Sequence, residues 1–171
     1  AFTYTGIARG LRDLGNQQSA FDAWQTLQGV ETLPQRMSAH CENALAVAEF
    51  LDDHPEVAWV TYPGLEGHET HAEASEYLDG GYGGMITFGL EDGYEAGKAV
   101  CNEVELASLL ANVGDAKTLI IHPASTTHQQ LTDEEKQASG VTDDLVRLSV
   151  GLEDTDRIID DLDSAIEAAT N

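Results

Sequence analysis

Basic residues are scarce in this sequence, which has three lysines and eight basic residues in all against 31 acidic ones. The formal net charge at pH 7 is −23, and so acidic a surface repels the phosphate backbone of nucleic acids. No apolar run approaches the roughly 20 residues of a membrane-spanning helix, and no secretory signal opens the chain. We therefore expect a cytoplasmic protein with neither a nucleic acid nor a membrane as its partner.

Cysteine is also rare. Cys41 and Cys101 form no CxxC pair, and two thiols in a reducing compartment are favoured over one disulfide, although the sequence allows either. His122 and His128 flank a run of hydroxyl residues, but no cysteine or second histidine stands at a metal-ligand spacing. We expect no metal site.

The motifs of self-sufficient catalysis are missing as well. There is no glycine-rich phosphate loop and no Gly-x-Ser-x-Gly elbow. None of the lysines, Lys98, Lys117 and Lys136, stands between small hydroxyl residues, the setting that suits a Schiff base. We predict no catalytic residue in this chain.

The acidic residues are spread along the whole chain rather than gathered in a tail. They alternate with apolar positions in a sequence that is 42% hydrophobic, which indicates the solvent face of a folded domain, because disordered acidic segments contain few apolar residues. Aspartate-rich, lysine-poor surfaces are typical of proteins from a salt-rich cytoplasm. We hypothesise that the protein is halophilic, and an ordinary acidic protein is the alternative.

Helix and strand patterns alternate along the chain. Helical spacing of apolar residues predicts helices over residues 19–28, 31–51, 70–78, 94–104 and 154–169. A capping box formed by Thr132 and Glu135 predicts one more. Runs of β-branched and aromatic residues predict strands over 57–62, 85–90, 118–121 and 145–150, and 107–113 is predicted as a strand or an extended segment.

This order of elements predicts an α/β fold, or α+β sandwich, with a small, mostly antiparallel four-stranded sheet covered by helices. Residues 1–29 do not fit that sandwich and are predicted as a connector from an upstream domain, with 30–171 as the domain itself. Because residue 1 is alanine rather than an initiator methionine, we expect the chain to be part of a longer or processed polypeptide.

Arg147 lies within an apolar strand, where strict alternation places it on the same face as Ser149. An unpaired guanidinium on a sheet face is costly, and its fork of donors fits a carboxylate. Two interpretations are open: Arg147 binds the carboxylate of a substrate, or it is an edge-strand arginine paired with a surface acid. The nearby turn Asn112-Val113-Gly114 either offers backbone N–H groups to an anion or only ends a strand.

Three motifs together point to one family. The stretches 110–119 (LANVGDAKTL), 122–128 (HPASTTH) and 145–153 (LVRLSVGLE) resemble, in this order and spacing, the Cys/Met-metabolism family of pyridoxal-phosphate enzymes. The resemblance covers nearly the whole chain and is greatest to the O-acetylhomoserine sulfhydrylase branch. It implies the smaller C-terminal domain of a fold type I transferase.

The resemblance also implies the roles of individual residues. Arg147 would bind the α-carboxylate of the substrate, assisted by Asn112 and the backbone of Val113. The wall of the active site and the support of that arginine would come from three hydroxyl residues, Ser125, Thr126 and Thr127.

For the parent enzyme, the resemblance implies pyridoxal phosphate as cofactor and the conversion of O-acetylhomoserine and sulfide to homocysteine and acetate. The Schiff-base lysine would lie in a preceding cofactor domain, so the isolated chain is expected to be inactive and not to retain the cofactor. That domain, the substrate and further copies of the protein in a homo-oligomer are the implied partners. The alternatives are a fragment of cystathionine γ-synthase or methionine γ-lyase, and a non-catalytic binding or assembly module.

Overall fold

The computed structural model describes residues 1–170. The chain divides into two compact units, Ala1–Gln35 and Arg36–Asn171. The division falls a few residues beyond the boundary predicted at residue 29. That the first segment connects to an upstream domain stays a prediction.

Every residue of the first unit is at least partly exposed. The helix α1 (Phe2–Thr5) continues into a π-helical stretch (Gly6–Asp13), and α2 spans Ala20–Glu31. Ser19 and Asp22 form a capping box, in which each side chain accepts a hydrogen bond from the backbone N–H of the other. This exchange satisfies two of the N–H groups that a helix start leaves unpaired, so α2 begins where the sequence predicts.

The second unit alternates helices and strands. Its helices are α4 (His71–Tyr77), α5 (Gly93–Glu103), α6 (Asp133–Ala138), α7 (Thr155–Thr170) and all but the first three residues of α3 (Leu33–Asp52). Its strands are β1 (Val57–Thr61), β2 (Met85–Leu90), β3 (Ser108–Leu109), β4 (Leu119–Ile121) and β5 (Leu145–Ser149). No helix in residues 1–170 is both long and apolar enough to cross a membrane.

The strands form one sheet in the order β1-β2-β5-β4-β3, in which only the β3–β4 pair is parallel. The predicted α/β class and the mostly antiparallel sheet are confirmed. The predicted number of four strands is wrong, because Ser108 and Leu109 pair with β4 and add a fifth strand. This strand is short because β4 itself has only three residues.

One face of the sheet forms the core. Alternate residues of β2, β4 and β5 are fully buried there against apolar residues of α3, α5 and α7. Burying a side chain of this kind stabilises the fold by roughly 1.5–3 kcal/mol. The largest fully buried apolar side chains are Tyr62, Phe88, Leu51, Ile86, Leu90, Ile120, Leu148, Ile158, Leu162 and Ile166.

The opposite face carries both polar and apolar residues. Met85 pairs with Ser149 and Thr87 pairs with Arg147 across the β2–β5 ladder, so these four side chains share a face. The functional question therefore concerns the face that the three core helices do not cover.

A hydrogen-bonded junction fixes the chain just after β5. The Asn43 side-chain amide donates to the carbonyl oxygens of Gly151 (3.1 Å) and Glu153 (2.9 Å), and its own oxygen accepts from the Thr155 hydroxyl. The Glu153 carboxylate in turn accepts from the backbone N–H of Thr118 at 2.8 Å. These bonds join α3, the start of β4 and the start of α7, and they hold β5 in place from its C-terminal end.

Candidate carboxylate-binding site

Arg147 lies in the middle strand of the sheet. It pairs with Thr87 of β2 on one side and with Ile121 of β4 on the other, and its side chain is half-buried. The interpretation of Arg147 as an edge-strand residue is therefore wrong.

The guanidinium contacts the Asn112 turn. Its Nη2 donates to the backbone carbonyl oxygen of Asn112 at 3.3 Å and lies 3.9 Å from the Met85 Sδ. Within residues 1–170, the ion pairs do not include Arg147. Because an arginine carries five N–H donors, this arrangement leaves donors available for a ligand carboxylate.

The turn that holds the arginine is organised by its own side chains. The Asn112 Oδ1 accepts from the backbone N–H of Val113 at 2.9 Å, and Gly114 follows with φ +71°, a conformation that glycine adopts without strain. The Asp115 carboxylate accepts from the N–H of Lys117. The N–H of Val113 thus points to the Asn112 side chain, which would have to rotate before this N–H could bind a ligand.

The predicted hydroxyl segment begins directly beyond the partner strand of Arg147. Ile121 pairs with Arg147, and a short 3-10 helix, Pro123–Ser125, follows. The segment is organised by His122, which is buried. Its Nε2 lies 2.7 Å from the Asp143 carbonyl oxygen, which can only accept, so Nε2 carries the proton and Nδ1 accepts from Ser125 at 2.9 Å.

The other hydroxyls have partners of their own. The Thr126 hydroxyl donates to the carbonyl oxygen of His122 at 2.7 Å, and the exposed Thr127 hydroxyl lies 2.9 Å from the His128 ring. The structure therefore brings Arg147 and Asn112 into contact, while the hydroxyls of residues 125–127 bond to histidines. The support of Arg147 by these hydroxyls stays a prediction.

Sequence reasoning missed Met85, which lies beside the arginine, and the role of His122 in the hydroxyl segment. Met85 follows a glycine-rich turn at the start of β2, and His122 was considered as a metal ligand. The sequence did predict the strand that Met85 begins. Pairing of that strand with the strand of Arg147 would have placed Met85 near the arginine. The role of His122 depends on the carbonyl of Asp143, which is distant in sequence, and no local pattern reveals it.

The surroundings of the three lysines do not activate their amines. Lys98 and Lys117 are exposed, and the Lys136 ammonium lies 3.5 Å from the Asp133 carboxylate. A lysine that forms a Schiff base is activated by an apolar pocket or a neighbouring cation, and none of the three has such surroundings. Across residues 1–170 there is also no cluster of metal-ligating side chains.

Comparisons with known proteins match this chain over nearly its whole length. The family model "Cys/Met metabolism PLP-dependent enzyme" matches residues 4–167. An O-acetyl-L-homoserine sulfhydrylase of Leptospira meyeri is 54% identical, covering 98% of this chain and 38% of its own length. A homocysteine synthase of Schizosaccharomyces pombe is 50% identical, with 99% and 39% covered.

A solved structure agrees in fold as well as in sequence. The crystal structure of a putative O-acetylhomoserine (thiol)-lyase from Campylobacter jejuni superposes with a TM-score of 0.87 at 44% identity, over 97% of this chain and 39% of that one. The chain thus spans about two fifths of the length of the relatives it matches. By sequence and by fold, it belongs to the Cys/Met-metabolism family of PLP-dependent enzymes.

Proposed function

We propose that this chain is the C-terminal portion of a pyridoxal-phosphate-dependent O-acetylhomoserine sulfhydrylase, which converts O-acetylhomoserine and sulfide to homocysteine and acetate. The observation that carries the proposal is Arg147, a half-buried guanidinium on the middle strand that contacts a backbone carbonyl rather than an acid. The identity of 54% to a sulfhydrylase supports this choice of reaction.

Arg147 binds the α-carboxylate of the amino-acid substrate. Its planar fork of donors matches two carboxylate oxygens, and a charge-assisted bidentate pair is stronger than a neutral hydrogen bond. The bond from Nη2 to the Asn112 carbonyl oxygen fixes the plane of the fork before the substrate arrives. Asn112 and the backbone of Val113 assist once the Asn112 side chain has rotated away from the Val113 N–H.

Ser125, Thr126 and Thr127 form the wall of the site. Their segment leaves β4 immediately after Ile121, the cross-strand partner of Arg147. Two of the three hydroxyls are bonded to the ring or the carbonyl of His122. His122 thereby sets the shape of the wall, and the wall limits where the rest of the substrate can extend.

The cofactor belongs to the remainder of the parent enzyme. Pyridoxal phosphate supplies the electron sink for chemistry at the α-carbon of an amino acid. Because the lysines of this chain are exposed or paired with an acid, we propose that the Schiff-base lysine and the cofactor ligands come from an upstream domain. The 171-residue chain alone is then inactive and does not retain the cofactor.

The experiment compares the protein encoded by the complete reading frame with the 171-residue chain. Each is purified with pyridoxal phosphate and assayed for homocysteine formed from O-acetylhomoserine and sulfide. Cystathionine formation with cysteine and the release of methanethiol from methionine test the two enzymatic alternatives in the same preparation. Sulfide-dependent turnover by the complete protein alone supports the proposal, and turnover by the isolated chain contradicts it.

The first unit has an exposed apolar surface that could contact the upstream cofactor domain. Large apolar side chains of residues 1–35 are exposed, including Phe21 (63%), Trp24 (55%) and Leu27 (58%), and monomeric proteins rarely expose so many together. We propose that this surface contacts the cofactor domain within a homo-oligomeric parent and causes self-association of the isolated chain. Sedimentation velocity tests this: Trp24→Gln with Leu27→Gln should shift the chain to monomer, and a wild-type chain that is monomeric throughout would refute it.

The same assays distinguish an enzyme from the non-catalytic alternative. A binding or assembly module would show no sulfide-dependent turnover even as the complete protein with cofactor. Absence of all three activities in that protein would favour the module over the enzyme.

A further inference from the structure

A small cavity of about 70 Å³ lies next to the Asn112 turn, and Val113 and Gly114 of that turn line it. Its walls come from α3, the start of β2, the turn and the end of β5, and they include Met85, Val113 and Ser149. Met85 and Val113 also border the arginine and its turn. The cavity therefore touches the candidate carboxylate site without being part of it.

His40 of α3 lines this cavity and is 2% exposed. Its Nδ1 lies 2.7 Å from the carbonyl oxygen of Val150, which has no hydrogen to donate. Nδ1 must therefore carry the proton of this bond, and in the neutral ring Nε2 then has a lone pair directed outward. Within residues 1–170, Nε2 has no hydrogen-bond partner.

A buried acceptor without a partner is destabilising, and native structures satisfy nearly all such atoms, often with an ordered water molecule. The cavity has room for about two water molecules by the volume that each occupies in the liquid. It also has a second polar side chain, because the hydroxyl of the buried Ser149 belongs to its wall. Size and polarity thus suit water as the occupant.

We propose that this cavity is a structural water site, in which a water molecule donates to the Nε2 of His40 and links it to Ser149 and to the Val113–Gly114 backbone. His40 is then a positioning residue, because it connects α3 through water to the turn that holds Arg147. Its effect on carboxylate binding rests on the proposed function. The water site itself does not, and it can be measured in the 171-residue chain without cofactor.

The test uses nuclear magnetic resonance on that chain. Imidazole ¹H–¹⁵N spectra assign the tautomer of His40, and water-to-protein Overhauser effects at the Met85 methyl group detect a long-lived water molecule. We expect the proton on Nδ1, a hydrogen-bonded Nε2 and a water cross-peak. A proton on Nε2, or no long-lived water beside Met85, would overturn the proposal.

Two variants of His40 test the roles of its two ring nitrogens separately. His40→Asn keeps a donor near Nδ1 for the Val150 carbonyl but has no acceptor at the Nε2 position, whereas His40→Gln offers an acceptor near Nε2. The buried Val150 amide donates to the Gly84 carbonyl oxygen at 2.8 Å, and both residues line the cavity. We expect solvent exchange of this amide to rise about tenfold in His40→Asn and to stay near the wild-type rate in His40→Gln. The amides of Ile86 and Leu148 in the sheet serve as internal controls.

Equal exchange rates of the Val150 amide in both variants would show that Nε2 has no role in holding the cavity wall, and the proposal would fail. If His40→Asn does not fold, the tautomer of His40 and the water cross-peak in the wild-type chain decide whether the water site exists. A confirmed water site together with an Arg147 variant that binds substrate normally would reject the proposed function and leave the water site intact.

Discussion

The guanidinium of Arg147 reaches the backbone carbonyl oxygen of Asn112, which is 35 residues earlier in the chain, at 3.3 Å. The sheet explains this contact. Leu109 of β3 pairs with Ile120, and the next residue of β4, Ile121, pairs with Arg147. The chain leaving β3 therefore passes the arginine, and its first turn lies where the side chain can bond to it.

Replacing Arg147 should weaken substrate binding in the complete protein. Arg147→Lys keeps the charge but loses the fork, and we expect KM for O-acetylhomoserine to rise roughly tenfold. Arg147→Ala removes the charged hydrogen bonds and should raise KM roughly 100-fold. Arg157→Lys, on the exposed surface of α7, is the matched control, and an unchanged KM in Arg147→Ala would contradict the assigned role.

Asp161 should contribute far more to the free energy of unfolding than its exposed neighbour Asp160. Its carboxylate accepts from the backbone N–H groups of Glu105 (2.7 Å), Leu106 (2.9 Å) and Ala107 (3.0 Å), and so fixes the segment before β3. Asp161→Asn exchanges one carboxylate oxygen for a donor and should lower the free energy of unfolding in urea by about 1–3 kcal/mol. Asp160→Asn should change it by less than about 0.5 kcal/mol, and similar losses in both variants would refute the role.

Alkaline pH should destabilise the chain through Cys101. Burial raises the pKa of this thiol from 9.0 to about 12, so the folded state keeps a proton that the unfolded state loses above pH 9. The contribution of Cys101 is complete below pH 9 and is lost as pH rises toward 12, by on the order of 1 kcal/mol per pH unit.

Chemical unfolding at pH 8 to 11 measures this dependence. Cys101→Ala removes the thiol, and its free energy of unfolding should fall less steeply over that range, although lost packing lowers it equally at every pH. The pKa of the Tyr62 phenol is also raised, chiefly by burial and further by Cys41 and Tyr82, so some decline persists in the variant. Identical slopes for variant and wild type would argue against the buried thiol as a cause.

Salt should stabilise this protein if the halophilic hypothesis holds. With 31 acidic and eight basic residues, the folded surface repels itself, and added ions screen that repulsion within a Debye length of about 3 Å at 1 M. We expect the melting temperature to rise from low salt into molar KCl. Sucrose at matched osmolality is the control, and a melting temperature that salt does not raise would remove the hypothesis.

Local patterns predicted the kinds of elements and most of their bounds. The strand Met85–Leu90 forms where predicted, and the capping box of Thr132 and Glu135 opens α6. Such features depend on residues within one or two turns of each other, so the sequence contains all that is needed. The stretch 107–113 was predicted as a strand or an extended segment but was not counted in the sheet, because the pairing of Ser108 and Leu109 depends on β4, a separate segment.

The sequence by itself determined an acidic α/β domain, its family motifs and the arginine most suited to a carboxylate. Only the tertiary structure decided that Arg147 lies in the middle strand, that its Nη2 bonds to Asn112, and that one nitrogen of His40 is left without a protein partner. The reason is physical: each of these facts joins segments distant in the chain. Their geometry follows from strand order and packing, which periodicity within a single segment does not encode.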